Sequence, residues 1–68
     1  MSDVREAVRL YSVASAAALL DVSSDWVYDR INSGELAVVE LGTGRAKQRI
    51  AADELQRFID AHKVAAAR

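Results

Sequence analysis

Residues 10–36 constrain the fold more than any other part of this 68-residue chain, because their local signals all belong to one layout. Apolar residues at spacings of three and four predict a helix over about residues 13–20. A turn at residues 21–23 follows, and a second helix is predicted over about residues 24–33. Gly34 then stands where a left-handed backbone ends a helix at little cost. The segment therefore predicts two short helices joined by a tight turn.

The serines before the helices and an apolar pair in the second helix support this layout. Ser12 and Ser23 are good N-caps, because a serine hydroxyl accepts a hydrogen bond from a free N–H of the first turn. Val27 and Ile31 are four residues apart and predict the buried side of the second helix. Val22, in the turn, is expected to reach the core. Helices joined in this way form a helix-turn-helix, which places its second helix in the major groove of DNA.

The residues after Gly34 predict a β-hairpin. Residues 35–41 are β-prone with mixed alternation, and residues 47–51, centred on Ile50, are their predicted partner strand. Residues 42–46 then form the hairpin tip. An isolated hairpin is only marginally stable, so we expect it to pack on the helices as a two-stranded wing.

A closing helix is predicted to begin near Asp53. Asp53 and Gln56 resemble a capping box, in which the first residue caps the helix and the second reaches back. The fold class predicted is therefore α+β, mainly α: a small winged helix-turn-helix with a two-stranded wing and a closing helix. One face of that last helix is expected to form the core and its margin, and it carries Leu55, Phe58, Ile59 and His62.

Chain length and residue types limit the organisation and the chemistry. We expect one domain over residues 1–68, with an ordered core at about residues 10–63 and flexible ends. The chain has no cysteine and a single histidine, so no metal site is expected. No residue pattern indicates a nucleophile with its base or a phosphate-binding glycine loop. We therefore expect no catalytic residues, no cofactor, no small-molecule substrate and no enzymatic activity.

The sequence also lacks the signals of membrane proteins and exported proteins. No apolar run approaches the roughly 18 residues of a membrane span. The first ten residues lack the apolar stretch of a signal peptide. We expect a cytoplasmic protein without a membrane partner.

The charged residues are segregated along the chain. The net charge is −1, which argues against indiscriminate coating of nucleic acid. Residues 42–52 hold three basic residues and no acidic one, whereas residues 12–29 hold three acidic residues and no basic one. In a regular strand residues 45, 47 and 49 share one face, so we expect a basic wing that approaches the DNA backbone or a narrow minor groove. The alternative is a solvated wing that only keeps an edge strand from aggregating. The candidate contacts of the wing are Thr43, Arg45, Lys47 and Arg49.

The second helix is the predicted reader of DNA. Ser24 and Tyr28 could donate to phosphates, and Arg30 could pair with a phosphate or with guanine. Asn32 could read adenine or contact the backbone. The candidate contacts of this helix are Ser23, Ser24, Asp25, Tyr28, Arg30 and Asn32.

Each of these candidates also has a purely structural interpretation. Tyr28 can belong half to the core, and Arg30 can pair with a nearby carboxylate. Asp25 and Asp29 can serve only capping and solubility. Trp26 can pack the helix against the wing, stack on a sugar or contact a partner protein, and of these we expect packing at the core or its margin. The outer face of the last helix is a further candidate for partner binding, with Glu54, Arg57, Asp60 and Ala61.

Many spaced positions match the pattern of one family: Tyr11-Ser12-Val13, Ala16-Ala17, Leu19-Leu20, Val22-Ser23, Val27-Tyr28, Ile31, Ser33-Gly34-Glu35-Leu36, Arg49-Ile50 and Leu55-Phe58-Ile59. Through them the chain resembles the excisionase family of small winged-helix proteins, relatives of the MerR-type DNA-binding domain. The resemblance implies a bacteriophage or mobile-element protein that binds DNA beside an integrase attachment site in a bacterial host. As a recombination directionality factor it would favour excision over integration in site-specific recombination.

The function predicted is that of a sequence-specific architectural DNA-binding protein. We expect several copies to bind double-stranded DNA cooperatively, contact one another, bend the DNA and position the phage integrase for excision. The chain departs from the family where DNA would be read, since similar proteins often carry basic residues at positions held here by Ser24, Asp25, Asp29 and Asn32. A carboxylate repels phosphate, although it can accept a hydrogen bond from cytosine N4.

Two other functions remain open from the sequence. A small MerR-like transcriptional regulator would use the same domain, although such a protein usually needs a dimerisation or effector element. A protein-interaction adaptor with weak DNA affinity would account for Asp25, Asp29 and the sequence pI of about 5.7.

Overall fold

A computed structural model of the protein describes residues 9–65, so the prediction of a frayed segment at residues 1–9 lies almost wholly outside it. Within the described residues the fold is mainly helical α+β, which confirms the predicted class. No helix in this part of the chain has the length and apolar character to cross a membrane. The elements are β1 (Leu10–Ser12), α1 (Val13–Leu20), α2 (Ser24–Asn32), β2 (Val39–Glu40), β3 (Gln48–Ala51) and α3 (Ala52–Ala61).

Both helices of the helix-turn-helix begin and end as predicted. The Ser12 hydroxyl accepts a hydrogen bond from the N–H of Ser15 at 3.0 Å, and that of Ser23 accepts one from the N–H of Trp26 at 3.1 Å. Asp21, with φ of 60°, closes α1. Gly34, with φ of 86°, follows the end of α2. Local capping chemistry therefore fixes the limits of this unit.

The sheet has three strands rather than the two predicted. The strand order is β1-β3-β2, and both pairs are antiparallel. Tyr11 pairs with Ile50, and Val39 pairs with Arg49. Strands β2 and β3 form the predicted two-stranded wing, and β1, which precedes the helix-turn-helix, adds a third strand at the other edge of the sheet.

Strand β2 is much shorter than the seven residues predicted for it, because the backbone before it is held elsewhere. The N–H groups of Glu35 and Leu36 donate to the carbonyl of Arg30 at 3.0 and 3.3 Å. The N–H of Ala37 donates to the Glu54 carboxylate at 3.0 Å. These donors are turned towards α2 and α3, so the ladder with β3 begins only at Val39.

The hairpin tip contains a short 3-10 helix at Arg45–Lys47. The N–H of Lys47 donates to the carbonyl of Gly44 at 3.2 Å, and the N–H of Leu41 donates to the carbonyl of Lys47 at 2.9 Å. Side chains in a 3-10 helix advance by a third of a turn per residue and do not alternate. The prediction that residues 45, 47 and 49 share one strand face is therefore wrong.

Helix α3 begins one residue earlier than predicted and without a capping box. Its N-cap is Ala51, which has no side-chain hydrogen bond, because β3 runs directly into the helix. The N–H of Ala52 donates instead to the carbonyl of Arg9 at 2.8 Å. Asp53 lies inside the first turn, where it suits the positive end of the helix dipole. The amide of Gln56 donates to Asp60 further along the helix, so the capping-box prediction is wrong.

The core lies where the three helices meet β3. Val22 is half-buried and packs against it, as predicted. Ile31 is also only half-buried, and His62 is exposed at the end of α3, with its ring centroid 4.2 Å from that of Phe58. The buried side chains are Val13, Ala16, Ala17, Val27, Leu36, Ile50, Leu55 and Phe58.

Candidate nucleic-acid interface

One face of α2 and the tip of the wing form the two walls of a single open cleft. Residues at positions i, i+3, i+4 and i+7 of a helix share one face. In α2 that face is polar and looks towards the 3-10 helix of the wing. The cleft has a volume of about 500 Å³ and is lined by Asp25, Tyr28, Asp29, Asn32, Arg45 and Gln48.

A contact between Arg45 and Tyr28 joins the two walls. The guanidinium carbon of Arg45 lies 3.5 Å from the centroid of the Tyr28 ring, a close cation–π arrangement. Tyr28 is half-buried and packs against the core, whereas Arg45 is exposed. The 3-10 helix places Arg45 over the ring, so the tip of the wing is docked on α2.

The other wing candidates do not line the cleft. Lys47 and Thr43 are exposed, and the carbon chain of Lys47 passes close to Gly42. Arg49 is half-buried, and its Nη1 donates to the carbonyls of Ala46 at 2.8 Å and Gln48 at 2.9 Å. The three cations of the wing therefore have three different surroundings.

The remaining candidates of α2 lie away from the cleft. Ser23 uses its hydroxyl as the N-cap, and Ser24 is half-buried. The guanidinium carbon of Arg30 lies 5.2 Å from the ring centroid of Trp26, and its Nη1 is 3.7 Å from the Glu35 carboxylate. The Nε of Arg30 is buried and, among the residues that the structure describes, has no hydrogen-bond partner. The Glu35 carboxylate beside Arg30 agrees with the structural interpretation, in which Arg30 pairs with a nearby carboxylate instead of DNA.

Trp26 packs α2 against α3. Its ring meets the ring of Phe58 edge to face, with centroids 5.9 Å apart and an interplanar angle of 77°. The side chain is half-buried, as expected for a residue at the margin of the core. Its partner is α3 and not the wing.

A hydrogen-bonded pair on α3 holds the connection that leads from α2 to β2. Glu54 accepts from Arg57 at 2.6 Å and from the N–H of Ala37 at 3.0 Å. Arg57 also donates to the carbonyl of Glu35 at 2.9 Å. The hydrogen bond from Arg57, and after it the one from Ala37, lower the pKa of Glu54 to about 2. The hydrogen bond to the Glu54 carboxylate in turn raises the pKa of Arg57.

No local pattern predicts this set of contacts, here called the bracket of Glu54 and Arg57, because their backbone partners Ala37 and Glu35 are 17 and 22 residues away. The bracket gives a structural role to Glu54 and Arg57, two residues of the outer face of α3 that is predicted to bind a partner protein.

Gln48 also lines the cleft, although the sequence does not predict it as a site residue. No sequence pattern indicates that a strand residue next to a hairpin tip faces a helix. Asp29, which is predicted to lie where DNA would be read or to serve only capping and solubility, lines the cleft.

A family model described as a helix-turn-helix domain matches residues 10–63. The match spans β1 to the end of α3 and so includes both walls of the cleft. This is a DNA-binding family that includes excisionase-like proteins. No curated protein and no solved structure matches the chain.

Proposed function

Because the chain belongs to the helix-turn-helix domain family, a DNA-binding family, we propose that it is an architectural protein of site-specific recombination. In this proposal it binds double-stranded DNA near a phage attachment site and directs the integrase towards excision. It acts without catalysis and without a cofactor. The observation that carries the proposal is the cleft, in which the exposed face of α2 and the tip of the wing meet on one side of the molecule.

The cleft side fits the geometry of duplex DNA. The major groove of B-DNA is about 12 Å wide and admits an α-helix. With α2 in that groove, the wing extends towards the neighbouring backbone and minor groove, where Thr43, Lys47 and Arg49 would lie. About four to six phosphate contacts correspond to a slope of about −4 to −5 in log K against log salt.

The small number of cations argues for cooperative binding. The wing supplies only three basic side chains, and the cleft adds the negative charges of Asp25 and Asp29. A single copy should therefore bind modestly. Copies on adjacent sites, or the integrase, would add contacts that offset the few kcal/mol needed to bend a short DNA segment.

A gel-shift titration on attachment-site DNA at low salt tests the proposal, with and without the integrase. We expect complexes that appear cooperatively and whose mobility depends on the position of the site within the fragment, which is the signature of a bend. The absence of any shifted or bent complex under both conditions would contradict the proposal.

A matched pair of lysine variants controls for total charge. Lys47→Ala removes a cation from the wing, and Lys63→Ala removes one from the end of α3, where it pairs with Asp60 at 3.2 Å. We expect only Lys47→Ala to weaken the shift. Equal weakening by both variants would mean that the orientation proposed for the DNA is wrong.

A second function is favoured by the acidic side chains of the cleft. Asp25 and Asp29 suit a protein-interaction adaptor with weak DNA affinity better than they suit phosphate binding. The adaptor predicts that excision in the presence of integrase survives the combined replacement of Arg45, Lys47 and Arg49 by alanine. The architectural function predicts that excision is lost.

A further inference from the structure

Arg45 is held in place yet keeps its hydrogen-bond donors free. At 3.5 Å from the ring centroid its guanidinium carbon is at van der Waals contact, so the flat group has to lie nearly parallel to the Tyr28 ring. Within residues 9–65 the guanidinium makes no hydrogen bond and no ion pair. Stacking thus reduces the freedom of the side chain without using any of its five N–H groups.

The place of Arg45 associates it with α2 rather than with the outer end of the wing. It lines the cleft together with the polar face of that helix, which is the face that would enter the major groove. A wing arginine directed into the minor groove would instead extend away from α2. The stacked position therefore favours base edges in the major groove.

The neighbouring carboxylates determine which base edge fits. Asp25 and Asp29 line the same cleft and, when ionised, act only as acceptors. They repel phosphate but accept from the N4 amino group of cytosine. The fork of an arginine requires two adjacent acceptors, which only guanine offers in the major groove, at O6 and N7.

We propose that the cleft reads a G·C base pair through the major groove, with Arg45 donating to guanine O6 and N7 while stacked on Tyr28. A carboxylate of Asp25 or Asp29 accepts from N4 of cytosine, in the same or the adjacent base pair. This inference rests on the proposed function, because it requires that α2 enters DNA. It gives the acidic residues of the helix a role in specificity, at the expense of general affinity.

Selection from a pool of randomised duplexes, followed by sequencing, tests the inference with full-length variants. The wild type should enrich one G·C pair in a fixed orientation, by about 5- to 150-fold over the other pairs. Arg45→Lys keeps the charge but lacks the fork, so it should lose that preference while it retains binding to unselected DNA. Tyr28→Phe keeps the ring and should retain the preference.

Base analogues at the enriched guanine then identify the groove. A 7-deazaguanine removes the N7 acceptor and should weaken binding by the wild type but not by Arg45→Lys. Inosine removes only the minor-groove amino group and should bind like guanine. Weakening by inosine, with no effect of 7-deazaguanine, would mean that an acceptor reads the minor-groove amino group of the guanine, and it would overturn the inference.

The carboxylates are tested in the same selection. Asp25→Asn and Asp29→Asn should each raise the affinity for unselected DNA. The variant that replaces the carboxylate accepting from cytosine should also lose the preference for the G·C pair. If Arg45→Lys enriches the same pair as strongly as the wild type, the inference fails but the proposed function stands. If the wild type binds no DNA at low salt, both fail together.

Discussion

Two arginines lie over aromatic rings of α2, and their surroundings differ. Arg30 lies over Trp26, whose ring meets Phe58 of α3, and it has Glu35 as a neighbour. Arg45 lies over Tyr28 at the edge of an open cleft, and within the described residues its donors have no partner. The side of α2 next to α3 therefore holds the fold together, whereas the cleft side carries polar side chains that make no hydrogen bond within residues 9–65.

The largest loss of stability is expected from a substitution on the side of α2 that packs against α3. Phe58→Ala removes a buried ring that contacts both Trp26 and His62, and such a change costs about 3–5 kcal/mol. The whole chain is stable by only about 3–10 kcal/mol at this length. We expect the variant to be largely unfolded at 37 °C in thermal denaturation followed by circular dichroism.

The control for this prediction is another loss of an apolar side chain. Leu19 is 61% exposed, and Leu19→Ala should change the free energy of unfolding by less than about 0.5 kcal/mol. A melting temperature for Phe58→Ala equal to that of the wild type would mean that packing between α2 and α3 does not contribute to the free energy of unfolding.

The next effect concerns the wing and should leave the fold intact. Replacing Arg45, Lys47 and Arg49 together by alanine removes up to three phosphate or base contacts. The slope of log K against log salt should become less negative by about 2 to 3, as measured by fluorescence anisotropy with labelled duplex DNA. Circular dichroism should show the helix content of the wild type. An unchanged slope would mean that the wing makes no contact with DNA phosphates.

The smallest effect concerns the bracket on α3 and depends on pH. The pKa of Glu54 is lowered from 4.5 to about 2 in the folded state by Arg57 and Ala37, so its contribution is complete above pH 4.5 and is lost as pH falls towards 2. After solvent screening we expect a contribution on the order of 1 kcal/mol. Urea unfolding between pH 7 and pH 2 should therefore show a smaller loss of stability in Glu54→Gln than in the wild type.

The neighbouring residue Asp53 provides the control. It is an exposed carboxylate in the first turn of α3 that makes no described hydrogen bond through its side chain. Asp53→Asn should change the difference in stability between pH 7 and pH 2 by less than Glu54→Gln does, because Asp53 interacts only with the helix dipole. If Glu54→Gln and the wild type lose stability in parallel, the bracket contributes nothing to the fold.

The sequence predicted the elements that local chemistry determines. The caps at Ser12 and Ser23 and the stop at Gly34 depend on residues within one turn, so their positions are visible in the sequence. The pairing of β1 with β3 joins residues about 40 positions apart, and no local pattern marks it. The same holds for Glu54 with Ala37, and for Arg45 with Tyr28.

The candidate site divides in the same way. Residue type alone predicts Asp25, Tyr28 and Asn32 among the DNA contacts of α2, and the structure brings these three together in the cleft. The three wing cations were placed on one face because a regular strand was assumed, and the 3-10 helix at the tip separates them. Which cation meets the helix is decided by the geometry of the turn, which the sequence does not reveal.

The most direct test of the account is a matched pair of substitutions, Arg45→Met and Arg30→Met, compared in one anisotropy titration on attachment-site DNA. Both remove one positive charge and keep a long apolar side chain. The account predicts that Arg45→Met lowers the affinity by about tenfold, the equivalent of about 1.4 kcal/mol, while Arg30→Met stays within about threefold of the wild type. Equal losses in both variants, or a loss in Arg30→Met alone, would contradict the claim that the cleft side of α2 faces DNA.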